Sequence, residues 1–245
     1  ALALWLLGTM GKLWWLYVWL VWVGFSLVML FLYPTVIAPL FNRFRPLDDP
    51  ELTLRIETLL NRTGFNCNGI VVMDGSTRSR HGNAYFTGFG KAKRIVFYDT
   101  LLKQLTPAEI EAVLAHELGH FKYKHIRYRL VLMFALAFAF FFLLGQLINA
   151  DWFYHGWGIP SPNDAAGLSL FFMLMPAFTF PLTPLFSLWS RHHEYQADSF
   201  AARETHADHL IQALVKLYRD NATTLTPDPL YSCLLYTSDA ADDTP

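Results

Sequence analysis

Within "VLAHELGHFKYKH", Val113 to His125, two histidines stand four residues apart, with a glutamate directly after the first. Four residues on an α-helix is a little over one turn, so His116 and His120 project their imidazoles from one face, close enough to share a tetrahedral zinc ion. Glu117 sits beside them. There it can take a proton from a water that zinc has acidified and later deliver it to a leaving amine. That is the chemistry of metal-assisted peptide hydrolysis. The competing reading is an amphipathic, membrane-proximal helix whose histidines bind nothing.

A catalytic zinc needs a third protein ligand and an open position. The metzincin continuation fails, because its glycine and third-histidine positions hold Tyr123 and Ile126. A downstream carboxylate must serve, and topology decides which one can.

Three apolar stretches set that topology. Leu13 to Tyr33 and Leu130 to Ile148 each run uncharged for the ~20 residues that a bilayer-spanning helix needs. Leu168 to Trp189 is a third span, interrupted by Pro176, Pro181 and Pro184, as tolerated where a cavity or neighbouring helices satisfy the freed backbone. Basic residues flank the first span at Arg43 and Arg45, precede the second at Lys122, Lys124, Arg127 and Arg129, and follow the third at Arg191; the loop 150–167 has none. The positive-inside bias therefore puts the histidine motif on the cytoplasmic side and that loop on the other. Asp151 and Asp164 are thereby excluded as ligands.

The chain returns to the motif's side at "SRHHEYQADSFAARE", where Glu194 and Glu204 are the remaining candidates. Glu194 is preferred. Asp198 lies one turn further along the same helical face, placed to hold the second ring nitrogen of a ligating histidine, and Ala197, Ala201 and Ala202 allow another helix to come close. His192, His193 and His125 read as interfacial polar residues.

Between the first two spans the region 42–129 carries mixed signals. "DPELTLRIETLLNRTGF" reads as an amphipathic helix with Leu52, Ile56, Leu59 and Leu60 on one face, closed by Gly64. "GIVVMD", "NAYFTGF" and "KRIVFYD" read as three short strands. "TPAEIEAVLAHELGH" opens with a capping box, Thr106 with Glu109, and Pro107 at the first helical position, which puts the motif on a helix.

Composition agrees with a membrane protein. The 245 residues are 53% hydrophobic and 16% charged, too apolar for an ordinary soluble domain. A net charge of −1 gives no electrostatic footprint for nucleic acid, so that partner class is set aside. Cys67 and Cys233 lie in unlike contexts and suggest neither a disulfide framework nor a cysteine-rich metal site.

"HELGH" followed by a two-span hairpin and "EYQAD", with "HGNAYFTGFGKAKRIVFYDTLL" upstream, resembles the integral-membrane zinc metalloproteases of the type I CAAX prenyl protease family. The resemblance runs from about Trp14 to Ser232. It implies one zinc per chain on His116, His120 and Glu194, with Glu117 as general base. It further implies that the strand around Asn83, Ala84 and Tyr85 supplies an edge along which an extended substrate lies; an edge strand can recruit a peptide by backbone hydrogen bonds.

The expected architecture is a mainly α membrane protein: transmembrane helices plus a cytoplasmic zincin-like α+β catalytic domain with a small sheet. Its parts are an N-terminal transmembrane segment 1–41, a catalytic region 42–129, a two-span hairpin 130–189 and a third-ligand helix with its following segment, 190–232. The expected partners are a peptide or protein substrate, prenylated or membrane-associated, and membrane lipid. The expected location is a bacterial inner membrane, or the endoplasmic reticulum of a eukaryote. Two alternatives stand beside this reading: a heat-shock-type membrane quality-control metalloprotease, and a catalytically silent scaffold that uses zinc to tie two helices together. Retention of Glu117 argues against the scaffold.

Both ends invite a further expectation. The chain opens at Ala1 inside an apolar stretch, as a segment of a longer protein would, and the resembled family has further spans before Leu13. After "TLTPDPLYS" that family continues with a His-Pro-Pro segment whose histidine is thought to help stabilise the oxyanion; here "CLLYTSDAADDTP" follows. Loss of an oxyanion donor costs about 10²–10³ in rate, so the chain as written is expected to be a weakened enzyme. Because "CLLYTSDAADD" matches the in-frame translation of a transposon-type sequencing-library adapter, 233–245 is expected to be a non-native tail.

Overall fold

The computed structural model describes residues 5, 8–77, 82–87, 93–159 and 163–220. The segment after Ser232 and the second half of "NAYFTGF", from Gly88, lie outside the described residues. The chain divides into two compact units, 1–31 with 126–183, and 32–125 with 184–245.

The first unit is built from apolar helices. Helix α1, Trp14–Leu32, occupies the first expected span and continues through a π-turn, Tyr33–Ile37, into α2, Ala38–Phe41. After strand β1 (Phe44–Pro46), helix α3 (Pro50–Thr63), strands β2 (Ile70–Met73), β3 (Ala84–Thr87) and β4 (Arg94–Tyr98), and helices α4 (Asp99–Gln104) and α5 (Pro107–Lys122), the chain enters α6, His125–Leu147. Aromatic side chains lock α1 to α6: Trp15 meets Phe138 and Phe142 edge-on, and Trp19 meets Phe138 with ring centroids 5.2 Å apart. The indole of Trp19 also donates to the Phe134 carbonyl at 3.0 Å. Gly145 is required by this packing, since a Cβ there would come within 2.4 Å of the Trp15 ring.

The loop expected over 150–167 contains a short helix, α7 (Asp151–His155), whose Phe153 and Tyr154 are buried; the Tyr154 hydroxyl donates to the Ile148 carbonyl at 2.8 Å. The third span is two helices, α8 (Asp164–Thr179) and α9 (Thr183–Glu204), joined by a 3₁₀ turn at Phe180–Leu182. The prolines explain the break: Pro181 sits in the 3₁₀ turn and Pro184 in the first turn of α9, where a missing N–H costs little. Gly11–Phe41, His125–Leu147 and Asp164–Glu204 are each long and apolar enough to cross a membrane.

The second unit carries a four-stranded sheet in the order β1-β2-β4-β3. Strand β2 runs parallel to β4, with Ile70 opposite Ile95, while β1 and β3 pair antiparallel to their neighbours. Among the described residues, strand β3 is therefore an edge. Strand β1 has no counterpart in the sequence reading, because Arg43 and Arg45 look like span-flanking charges and Pro46 argues against a strand except at an edge, which is where it lies.

Helix α3 forms as its pattern dictates: Asp49 caps the Leu52 N–H at 3.0 Å, and Gly64 closes the helix in the left-handed region at φ 70°. Its Leu52, Ile56 and Leu59 join Ile95 and Phe97 of β4 and Ile110, Leu114 and Leu118 of α5 in one core. Phe200 of α9 and Leu210, Ala213 and Leu217 of the last helix, α10 (Ala207–Asp220), complete it.

Candidate metal centre

The capping box of α5 is present: Thr106 accepts from the Glu109 N–H, and the Glu109 carboxylate accepts from the Thr106 N–H at 2.8 Å. Glu109 has a second task. Buried to 2% exposure, it receives Lys216 of α10 at 2.7 and 2.8 Å, which pins α10 alongside α5 and holds its carboxyl below the ordinary range against the opposing pull of burial.

Helix α9 meets α5 at Gly119. A Cβ there would come within 2.9 Å of the Ala197 Cα, so only glycine permits this approach. Ala197 and Ala201 are fully buried, as the small-residue reading expects, whereas Ala202 is exposed and takes no part.

The approach brings His116, His120 and Glu194 together. His116 Nε2 and His120 Nε2 are 3.1 Å apart, and Glu194 Oε2 is 3.4 Å from each. Ligands about 2.0–2.1 Å from a tetrahedral ion lie about 3.3–3.4 Å apart, so this triangle is of the right size for three corners with the fourth left open. Glu194 Oε1 is buried with no hydrogen-bond partner among the described residues, as befits a carboxylate that has a cation to face. Two imidazole nitrogens and one carboxylate oxygen are the only such metal-ligating cluster among the described residues. Glu204, the other carboxylate considered, is turned to Arg62 at 3.1 Å.

Asp198 reaches His116 from the far side, Oδ1 to Nδ1 at 2.9 Å. Burial disfavours the charged form of His116, but hydrogen bonds to Asp198 and Glu194, with the charge of Glu117, outweigh it and push its pKa up to about 10. The pocket is thus a strongly electronegative place that favours positive charge.

Glu117 is half-buried and lines a cleft of about 100 Å³ together with His116, Glu194 and Asp198. Gly82, Asn83 and Ala84 form part of its wall, while Leu101, Val113, Leu210, Leu214 and Leu217 supply an apolar side. Tyr85 is not among the lining residues; its ring packs edge-on against Tyr98 at 6.2 Å. Edge strand β3 therefore offers its first residue and the two before it to the cleft.

The interfacial reading of His125 and His193 is corrected. Both are buried, at 4% and 6% exposure, and their rings stack 4.0 Å apart. His125 Nδ1 lies 3.0 Å from His120 Nδ1. The cause is the turn between α5 and α6, where Lys124 adopts a left-handed φ of 60° and folds His125 back beneath the motif. No local sequence signal marks this placement, because it depends on that backbone angle and on a ring delivered by another helix. His192 is exposed, as expected.

A family model described as peptidase family M48 matches residues 46–237, and one described as the CAAX prenyl protease N-terminal region with five membrane helices matches residues 1–43. The chain belongs to peptidase family M48. This M48 chain is 42% identical over 226 residues to the "CAAX prenyl protease 1 homolog" of Arabidopsis thaliana, covering 90% of the chain and 52% of that protein. It is 40% identical over 222 residues to "CAAX prenyl protease 1" of Saccharomyces cerevisiae, covering 83% of the chain and 48% of the relative. The crystal structure of S. mikatae Ste24p superposes with a TM-score of 0.79 at 35% identity, covering 94% of this chain and 58% of that one. The chain spans about half the length of the curated relatives it matches. Together with its three long apolar helices, these likenesses make it an integral, multi-pass membrane protein. M48 membership implies a metal ion, with which the His116, His120 and Glu194 cluster is compatible.

Proposed function

We propose that this M48 chain is the catalytic part of a membrane-embedded zinc endopeptidase acting on membrane-associated or CAAX-type peptides. The observation that carries the reading is the triangle of His116 Nε2, His120 Nε2 and Glu194 Oε2, with Glu117 beside it on the cleft wall. Zinc suits this donor set of two imidazoles and one carboxylate, and when bound it acidifies a water to a pKa of about 7 and polarises a carbonyl. Glu117 takes the proton at its carboxylate and returns it to the nitrogen of the leaving amine. Asp198 keeps the His116 Nδ1–H engaged, so that Nε2 faces the ion.

Substrate aligns in extended form along β3, its backbone held beside Asn83, which precedes the strand, and Ala84 and Tyr85, its first two residues. The leucine-lined side of the cleft suits an aliphatic side chain, and the likeness to CAAX prenyl protease 1 and its homologues supports a prenylated C-terminal peptide. The basic residues around the spans support a cytoplasmic site, formed by 42–129 and 190–232 and carried by the spans 13–33 and 130–189.

The test is Glu117→Gln in full-length protein in detergent, assayed on one peptide in prenylated and unmodified forms. Zinc content is expected to stay at the wild-type level while hydrolysis falls by about 10²–10⁴. Wild-type turnover by the variant would contradict the reading. A wild-type enzyme that cleaves both forms with equal kcat/KM would remove prenylation from it.

A further inference from the structure

We infer that His125 is a positioning residue for the metal centre, the neutral counterpart on His120 of what Asp198 is on His116. The inference rests on the metal-site reading above.

When His120 presents Nε2 to the ion, its proton must sit on Nδ1, and that N–H needs an acceptor. His125 Nδ1 is the atom 3.0 Å away. Acting as acceptor there puts the His125 proton on Nε2, where Gln196 Oε1 stands 2.9 Å away to receive it. The Gln196 amide nitrogen then donates to His192 Nε2 at 3.0 Å. Every link has one donor and one acceptor, and the direction of the whole chain follows from the single requirement that His120 bind through Nε2.

The ring of His125 is held to this task. It stacks on His193 at 4.0 Å with the planes 8° apart, and on Tyr123 at 5.7 Å with the planes 20° apart. Arg203 of α9 in turn donates to the Tyr123 hydroxyl at 3.0 Å. His193 and Gln196 belong to the helix that supplies Glu194 and Asp198, so the support for His120 and the third carboxylate are delivered by one element. Bringing His125 into reach requires Lys124 in a left-handed conformation, which disfavours a residue with a Cβ. A local strain retained beside the His116, His120 and Glu194 cluster supports a functional placement.

A neutral partner has a chemical consequence. Glu117, Glu194 and Asp198 already surround the site, and a fourth carboxylate at position 125 would further reduce the electrophilicity of the bound ion. An imidazole acceptor orients His120 without adding charge.

Two substitutions separate the hydrogen bond from the packing. His125→Phe keeps a flat ring for stacking and removes the acceptor; His125→Asn loses the ring but places Oδ1 close to where Nδ1 stood. Zinc affinity is measured by chelator competition on detergent-solubilised full-length protein, with the visible spectrum of the cobalt-substituted form as a second readout. A weakening of about 10–100-fold is expected for His125→Phe, with an altered cobalt spectrum, and His125→Asn is expected to recover most of the affinity. Wild-type affinity and spectrum in His125→Phe would overturn the inference, as would a loss in His125→Asn as large as in His125→Phe. Glu194→Gln serves as the control: if that variant binds zinc as tightly as wild type, the metal-site reading itself has failed, whatever His125 does.

Discussion

His116 Nδ1 and Asp198 Oδ1 lie 2.9 Å apart, joining the helix of the His-Glu-x-x-His motif to the helix that carries Glu194. The carboxylate is 43% exposed at its side chain, so an amide can take its place without being buried among apolar groups. Asp198→Asn keeps an acceptor oxygen and removes the charge that strengthens the imidazole as a ligand. Metal affinity is expected to fall about 10–100-fold while the helical circular dichroism stays unchanged; chelator competition measures the first. Unaltered affinity would make Asp198 a surface charge and nothing more.

Gly119→Ala is predicted to be far more damaging than its size suggests. The added methyl would press on the Ala197 backbone at 2.9 Å, which cannot swing aside as a side-chain tip can. Separating α5 from α9 pulls His116 and His120 away from Glu194. Overpacking of this kind typically costs about 1–3 kcal/mol, so a lowered Tm accompanied by loss of bound zinc is expected. Retention of both Tm and zinc would show that the two helices are not the frame of the site.

Asp99 should give the fold an acid-sensitive clasp. Burial raises its pKa, but the Ser76 hydroxyl and N–H and the Lys103 ammonium, 3.2 Å away, outweigh that and hold it at about 2, against 3.8 for the free side chain. A depressed carboxyl pKa contributes stability that is fully present above the unfolded value and is lost as pH falls through the folded one. The Tm gap between wild type and Asp99→Asn is therefore expected to be constant above about pH 5 and to close between about pH 4 and pH 2. A gap that widens on acidification would reverse the sign and refute the assignment.

The parts of this site that a sequence discloses are the locally determined ones. Thr106, Pro107 and Glu109 announce the start of α5 through a contact that spans three residues, and the spacing of His116 and His120 needs only the helical repeat. Asp198 is legible for the same reason, one turn from Glu194. His125 is not, because its reach depends on one unusual backbone angle at Lys124 and on a stacked ring, His193, delivered by another helix. The close approach at Gly119 is equally hidden: a glycine inside a helix looks like a weakness until Ala197 is seen against it. Prolines in the third apolar stretch foretell a break, though not that it takes the form of a single 3₁₀ turn between two helices.

Membrane sidedness offers an independent check. Single cysteines introduced into the loop 150–167 of a protein freed of its own cysteines are expected to react with an impermeant maleimide added from the side opposite the cytoplasm. Labelling from the cytoplasmic side would invert the topology and return Asp151 and Asp164 to consideration as ligands.

The central claim is that His116, His120 and Glu194 hold a single zinc ion, and metal content tests it most directly. Purified wild-type protein, Glu194→Gln and Glu204→Gln are to be compared by elemental analysis after dialysis against a weak chelator. The account predicts one zinc per chain in wild type and in Glu204→Gln, whose side chain pairs with Arg62, and little or none in Glu194→Gln. Zinc retained in Glu194→Gln and lost from Glu204→Gln would contradict it.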